Sequence, residues 1–344
     1  MRLVITSPAD WPQWNDLVLA TNSNSFFHSV NWAQVLCASY GFKPAYFTMF
    51  EEGLLLALLP LMEVRSVLTG RRGVSLSFTD YCEPIFENRE NFSFMFDHVL
   101  DYGRNSGWEH VEFRGGQRYL PDAPVFASYK GHTLALSGNC GDLFARFRDS
   151  TRRNIQKAVL AGVEMRICTT LQSVSEFYRL HCMTRKRHGV PPQPFSFFRN
   201  IYKYVISKNF GFVVLASHNG ITVAGAVFFH FGTSALYKYG ASDEAYQHLR
   251  ANNLVIWEAI QWYCREGYQS FDFGRTEQDD AGLLQFKRGW GGCEYAINYY
   301  KYDFKQRTFV TGPLKITGLH NRIFRMMPLP LLKIAGSMLY RHAG

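Results

Sequence analysis

Asp272 sits between two phenylalanines in the run Phe271–Arg275 (FDFGR). On a strand it faces away from both, because successive side chains point to opposite faces. A carboxylate at a strand end beside Arg275 suits substrate positioning or proton abstraction; a structural ion pair is the plainer reading of the same residues. Tyr239 stands in Tyr237–Gly240 (YKYG), which feeds the polar loop Ser242–Ala251. Arg250, Asn252 and Asn253 lie where that loop opens a helix. Unpaired N–H groups and the positive dipole end attract phosphates there, although an Asn N-cap alone also explains them. Lys287 and Arg288 fall in the last turn of a helix within Ala281–Trp290 (AGLLQFKRGW), where cations complement the dipole. The glycine-rich turn after it lets backbone approach a ligand. Two basic runs complete the set: Thr151–Lys157 (TRRNIQK) carries Arg152, and Arg185–Gly189 (RKRHG) carries Arg187 and His188. Solvated helix faces commonly look like this, and a lone histidine is more often structural, but His188 is the one group there that titrates near neutrality.

The elements that must hold these residues follow from periodicity. In the first half, Tyr46–Phe50 and Leu54–Val64 flank a Glu51–Gly53 turn as a hairpin. Gly73–Asp80 is a further strand, Asn91–Asn105 a helix with one apolar face, and His110–Arg114 (HVEFR) another strand. The second half repeats the order. Phe212–Ser217 and Ile221–Phe231 flank Asn219-Gly220, a strong hairpin signal. Ser234–Ser242, the helix Asn253–Arg265 and Ser270–Phe273 follow. Between the halves, Gly138–Gly141 (GNCG) reads as a linker and Gly141–Leu160 as a basic helix. Ser173 and Glu176 read as a capping box for the helix Val174–His188, and prolines 191, 192 and 194 separate it from Phe195–Lys208.

Composition bounds the answer. A chain of 344 residues suggests two domains, and 47% hydrophobic against 19% charged residues permits a full core. The balance of 37 basic and 28 acidic residues gives +9, a field that favours anionic partners. H-E-x-x-H, G-x-S-x-G, P-loop and G-x-G-x-x-G motifs are absent, so the corresponding peptidase, hydrolase, kinase and dinucleotide readings lose their main support. The seven cysteines contain no C-x-x-C pair, which argues against a zinc site and fits a reducing cytosol. The opening residues lack the apolar core of a signal peptide, and the longest apolar run, Leu54–Met62, is far short of the ~20 residues that span a bilayer. The expectation is a cytoplasmic protein.

The pieces TRRNIQKA, RHGVPPQPFSFF, YKYGAS, NNLVIWEAIQW, FDFGRT and FKRGWGG, with FFHSVNWAQVL and SLSFTDYCEP in the first half, resemble the FemAB-like branch of the GNAT acyltransferases. That branch includes the lipid II glycyltransferase-like proteins of peptidoglycan bridge formation. The resemblance implies an α/β fold of mixed sheets in two tandem GNAT-like domains, here 1–138 and 139–308 with a basic tail at 309–344. It also implies an N-acyltransferase. An aminoacyl or acyl group passes from aminoacyl-tRNA or acyl-CoA, with no tightly bound cofactor or metal, to an amine of a cell-envelope precursor. Asp272, His188 and Tyr239 become the catalytic candidates, Arg250, Asn252 and Asn253 the donor contacts, and Arg152, Arg187, Arg275 and Lys287 the substrate contacts. The GNAT phosphate loop Q/R-x-x-G-x-G/A aligns with Gln247–Asn252, where Arg250 and Asn252 replace the glycines; that tilts the donor toward aminoacyl-tRNA. The alternative is a non-catalytic binding module for anionic ligands on a degenerate GNAT scaffold.

The tail mixes apolar residues with Lys315, Arg322, Arg325, Lys333 and Arg341 and contains no acidic residue. That composition suits an anionic membrane surface at the inner face of the cell membrane. Pro328 and Pro330 should split it into two short helices, and the body should fold without it.

Overall fold

The computed structural model describes residues 2–86, 88–136, 139–312 and 319–342. The chain forms two compact units: Met1–Tyr129 with Ala296–Ile316 and Leu339–Gly344, and Lys130–Tyr295 with Thr317–Met338. The boundary expected at 138 therefore differs. Residues 130–136 join the second unit, and the first takes back a strand from beyond 296.

The first unit contains β1 (Arg2–Thr6), α1 (Trp14–Leu19), α2 (Val30–Tyr40), β2 (Lys43–Pro44), β3 (Tyr46–Glu51), β4 (Leu54–Leu59), β5 (Met62–Ser66), β6 (Gly70–Val74), β7 (Ile85–Phe86), α3 (Arg89–Asn105) and β8 (His110–Arg114). The expected hairpin is β3–β4, turned through Glu52 and Gly53, both at positive φ. The run Leu54–Val64 is not one strand. It breaks at Pro60, which has no N–H for a ladder, and β4 and β5 enter different sheets. β6 also stops early, at Val74, where the chain turns through Leu76 and Phe78 at φ 58 and 60. α3 buries Phe92, Met95 and Val99, the face read from its spacing.

The second unit begins within β9 (Ala127–Ala135). It continues with α4 (Cys140–Arg146), α5 (Asp149–Leu160), β10 (Glu164–Cys168), α6 (Leu171–Arg187), α7 (Phe195–Tyr204), β11 (Gly211–His218), β12 (Ile221–Phe231), β13 (Ser234–Ser242), α8 (Ala251–Arg265), β14 (Ser270–Asp272), β15 (Thr276–Glu277) and α9 (Ala281–Arg288). β16 (Cys293–Asp303) leads back into the first unit, where it pairs with β8 and with β17 (Thr308–Val310). In the second unit the strand order is β10-β11-β12-β13-β14-β9. Asn219 and Gly220 turn at φ 50 and 74, as the hairpin requires. Its core joins Phe212, Val214 and Phe228 of the sheet to Leu254, Val255 and Ile260 of α8.

Three local expectations need correction. Gly138 lies outside the described residues, and Asn139 caps α4 rather than lying in a linker. The basic helix is two helices, because Phe147 and Arg148 are extended. Thr170, not Ser173, caps α6 by accepting from the Ser173 N–H.

The tail forms α10 (Leu319–Met326) and α11 (Leu329–Leu339), split at the prolines as expected. It is not free, however. Leu332 is fully buried, and Gly336 lies so close to the Pro192 carbonyl that a Cβ would sit 2.0 Å from its oxygen. The second unit is built with these helices in place.

Candidate functional site

The sheet of the second unit opens where β13 and β14 part. Their parallel ladder covers only Ser234↔Ser270, Ala235↔Phe271 and Leu236↔Asp272. β13 then continues to Ser242 along β12, while the chain after β14 turns toward β9, with the Phe273 N–H on the His132 carbonyl. Within the β12–β13 ladder, Val227 faces Tyr239 and Phe228 faces Tyr237, so Lys238 is the extra residue of a bulge. A bulge interrupts strand alternation. Tyr237 packs into the α8 side of the core, whereas the Tyr239 ring lies 5.5 Å from Phe198 and 6.0 Å from His181 on the side of α6 and α7. His181 is buried, its Nε2 is 2.9 Å from Gln193 Oε1, and desolvation lowers its pKa to about 3.

Asp272 ends β14 at this opening, with Phe271 and Phe273 buried in the core behind it. Its Oδ2 accepts from Thr133 Oγ1 at 2.9 Å and from the Tyr295 hydroxyl at 2.6 Å, and its Oδ1 accepts the Gly274 N–H at 2.6 Å. Burial raises its pKa, while these three donors and Lys287 act in the opposite direction. Lys287 is only 2% exposed, and its Nζ donates to the carbonyls of Gly274 at 2.8 Å and Arg275 at 3.1 Å. It is a buried ammonium that fixes the turn after Asp272, not a solvated cation at a helix end.

A second carboxylate gathers basic side chains from α9 and β9. Glu294 accepts from Arg288 Nε at 2.7 Å and lies 3.3 Å from Lys130 Nζ and 3.2 Å from His132 Nε2. Arg288 leads in pulling its carboxyl down to about 2. His132 is 1% exposed, and burial, followed by Lys287, lowers its pKa.

At the start of α8, Arg250 adopts φ 59, the left-handed conformation that a loop glycine would take. The substitution of Arg for Gly therefore keeps a glycine-like backbone and adds a cation. Asn252 is exposed and donates to Ser242 Oγ at 3.2 Å. Asn253 is buried, which takes it out of the set facing a donor.

Residues 145–288 match the acetyltransferase (GNAT) domain family. Over that stretch the chain resembles GNAT acetyltransferase domains. Over 85 residues it is 34% identical to the lipid II:glycine glycyltransferase of Staphylococcus haemolyticus, covering 23% of this chain and 20% of that protein. The Staphylococcus epidermidis protein of the same name is 33% identical over 78 residues, 21% of this chain and 19% of the relative. The chain thus spans about a fifth of the length of the curated relatives it matches. Among solved structures, FemX aligns with a TM-score of 0.71 at 14% identity, over 87% of this chain and 97% of FemX. A tandem GNAT protein from the clavulanic acid biosynthesis pathway aligns at 0.58 and 11% identity, over 91% and 99% of the two chains. The fold is that of tandem GNAT proteins, as the sequence resemblance implied.

The second unit brings together only part of the set read from sequence. Asp272, Lys287 and the backbone of Arg275 form one cluster. Tyr239 lies on β13 beyond the point of parting, among α6 and α7 aromatics. Arg152 is engaged on the surface by Asp149 of its own helix. Arg187 Nη1 is buried with no hydrogen-bond partner among the described residues. His188 ends α6, and its charged neighbours are Arg187, Arg185, Asp280 and Arg325. Thr133, His132, Tyr295 and Glu294 were not legible. They come from β9 and β16, and Thr133 is 139 residues from the carboxylate it serves. No local spacing signals such a pairing.

Proposed function

We propose that this chain is an N-acyltransferase that moves an aminoacyl or acyl group from an activated donor to an amine of a cell-envelope precursor. The observation that carries the reading is the Asp272–Lys287 cluster, set where β13 and β14 part within the stretch that resembles GNAT domains. The lipid II:glycine glycyltransferase matches supply the acceptor class. In the reaction a neutral amine attacks the donor carbonyl. A C–N bond forms, the donor's ester or thioester bond breaks, the nitrogen loses a proton, and the departing ribose hydroxyl or CoA thiol takes one up. Asp272, with its raised pKa, serves as the acceptor of that proton or holds the amine that releases it. Lys287, fixed on two carbonyls, presents positive charge toward the developing oxyanion. His188 stands outside this step.

Arg250 and the N–H groups at the start of α8 face the donor's phosphates, and Arg187 faces an anionic group of the acceptor. Arg250 fills the place of a glycine, which favours aminoacyl-tRNA over acyl-CoA. Incubating acceptor pools with the protein and each donor, then reading mass gains, tests the reading. A gain of one aminoacyl residue supports it, and no gain with either donor overturns it.

The finer placement is the inner membrane face. No helix among the described residues is long and apolar enough to cross a membrane. Ile323, Met326, Leu331, Ile334 and Met338 are exposed on α10 and α11 among basic residues only. Each cation near an anionic surface contributes ~1 kcal/mol. Leu332 is not part of this face, since it is buried in the protein. Replacing Met326, Ile334 and Met338 by serine should release the protein from anionic vesicles; equal co-sedimentation would refute the placement.

A further inference from the structure

A groove of about 630 Å³ lies between α5 and α8, next to β10, within the ~300–1,000 Å³ typical of small-ligand sites. Its walls include Phe144, Leu254 and Trp257, and at its rim Val159 and Leu160 are 58% and 88% exposed. Three polar side chains also line it: Gln156, Glu258 and Gln261. An acyl chain has no use for two amides and a carboxylate. A flat heterocycle with polar edges uses both kinds of wall, and a glutamine amide pairs with the N6 and N7 edge of adenine in particular. The charges around the groove suit a phosphate attached to that ring. On α5, Arg153, Gln156, Lys157 and Leu160 share one face at helical spacing, and all four are exposed. At the other end, Leu254 is the fourth residue of α8, so the groove begins about 5 Å along the axis from the helix start that Arg250 caps. One nucleoside monophosphate spans that distance.

We infer that this groove holds the adenine of the donor's terminal adenosine, the group that aminoacyl-tRNA and acyl-CoA have in common. The inference rests on the acyl-transfer reading and names the part of the donor that both sources share.

Calorimetry on the full chain tests it with AMP as the probe. AMP should bind the wild type. Gln156→Trp, a replacement at an exposed position that fills the groove, should weaken it by about tenfold or more without shifting the melting temperature. Purine riboside monophosphate, which lacks the 6-amino group, should bind about tenfold more weakly than AMP, and Glu258→Ala should narrow that difference. Competition by CoA or by an oligonucleotide ending in CCA identifies the source. Absence of AMP binding at millimolar concentration, or equal binding to wild type and Gln156→Trp, overturns the inference. So does palmitate that binds the wild type, is lost in Gln156→Trp and displaces nothing, since the groove then belongs to an acyl chain. Transfer separates the two claims. Unchanged transfer by Gln156→Trp from both donors removes the groove and leaves the acyltransferase. Groove-dependent AMP binding with no transfer from either donor does the reverse.

Discussion

Each unit contains a three-residue parallel ladder that ends on a carboxylate between two apolar residues. In the first unit β6 pairs with β8 over Arg72↔His110, Gly73↔Val111 and Val74↔Glu112. In the second, β13 pairs with β14 up to Leu236↔Asp272. The carboxylates then meet different fates. Glu112 is tied to Arg114 on its own strand at 2.8 Å, and the Arg114 N–H is in turn held by Ser75 Oγ. Asp272 has neutral donors from two other strands and a buried lysine nearby, and its pKa is raised. The chain beyond the ladder differs as well: β6 stops and folds through Leu76 and Phe78, while β13 runs on to the loop before α8. The same architecture thus gives an ion pair in one unit and a carboxylate of raised pKa among neutral donors in the other. The deciding feature is which partners the neighbouring strands supply, not the carboxylate itself.

The largest effect should follow from Lys287→Met. It removes the buried cation and leaves two carbonyls without their donor, so transfer should fall about 100- to 1,000-fold. Some loss of stability should accompany it, and thermal melts would separate the two. Asp272→Asn keeps the shape but not the base, and transfer should fall about 10- to 100-fold in a folded protein. The matching change in the first unit, Glu112→Gln, should lower stability by about 1 kcal/mol and leave transfer intact. Equal losses of transfer in the two variants would break the comparison.

Much of this contrast was visible in the sequence, and part of it was not. The alternation in FDFGR placed Asp272 opposite its phenylalanines, and the turn at Asn219-Gly220 followed from residues that accept positive φ. Lys287 does fall in the last turn of α9, as its position implied, but helix-end position says nothing about which turn packs over it, so its burial was not legible. Tyr237 and Tyr239 would share a face under strict alternation, and only the bulge at Lys238 separates them. Asn253 looked like a loop polar group and is buried. The tail's helices were readable from its prolines, but its packing was not, since an amphipathic pattern does not say what covers it.

Titration sharpens the contrast further. Asp272 has a raised pKa in the folded state, so its contribution to stability is present below the ordinary carboxylate range and is lost as pH rises through the raised value. Asp272→Asn should therefore gain stability relative to wild type as pH increases from about 4. Glu294 runs the other way. Its carboxyl is pulled to about 2, so Glu294→Gln should be less stable than wild type at neutral pH, with the gap closing as pH falls from about 4.5 toward 2. Urea melts across this range check both signs.

The tail should affect stability and not transfer. Leu332→Ala should cost about 2–4 kcal/mol of stability, because its side chain is fully buried. Met326→Ala, at 79% exposure, should stay within about 0.5 kcal/mol. Equal melts for the two would return the tail to a loose appendage.

The most direct test of the central claim is single-turnover transfer measured side by side for wild type, Lys287→Met and Glu112→Gln, using an envelope-precursor acceptor and a radiolabelled aminoacyl-tRNA or acyl-CoA donor. Label should reach the acceptor at similar rates in wild type and Glu112→Gln and fall at least about 100-fold in Lys287→Met. Wild-type rates in a folded Lys287→Met protein would contradict the assignment of chemistry to the second unit.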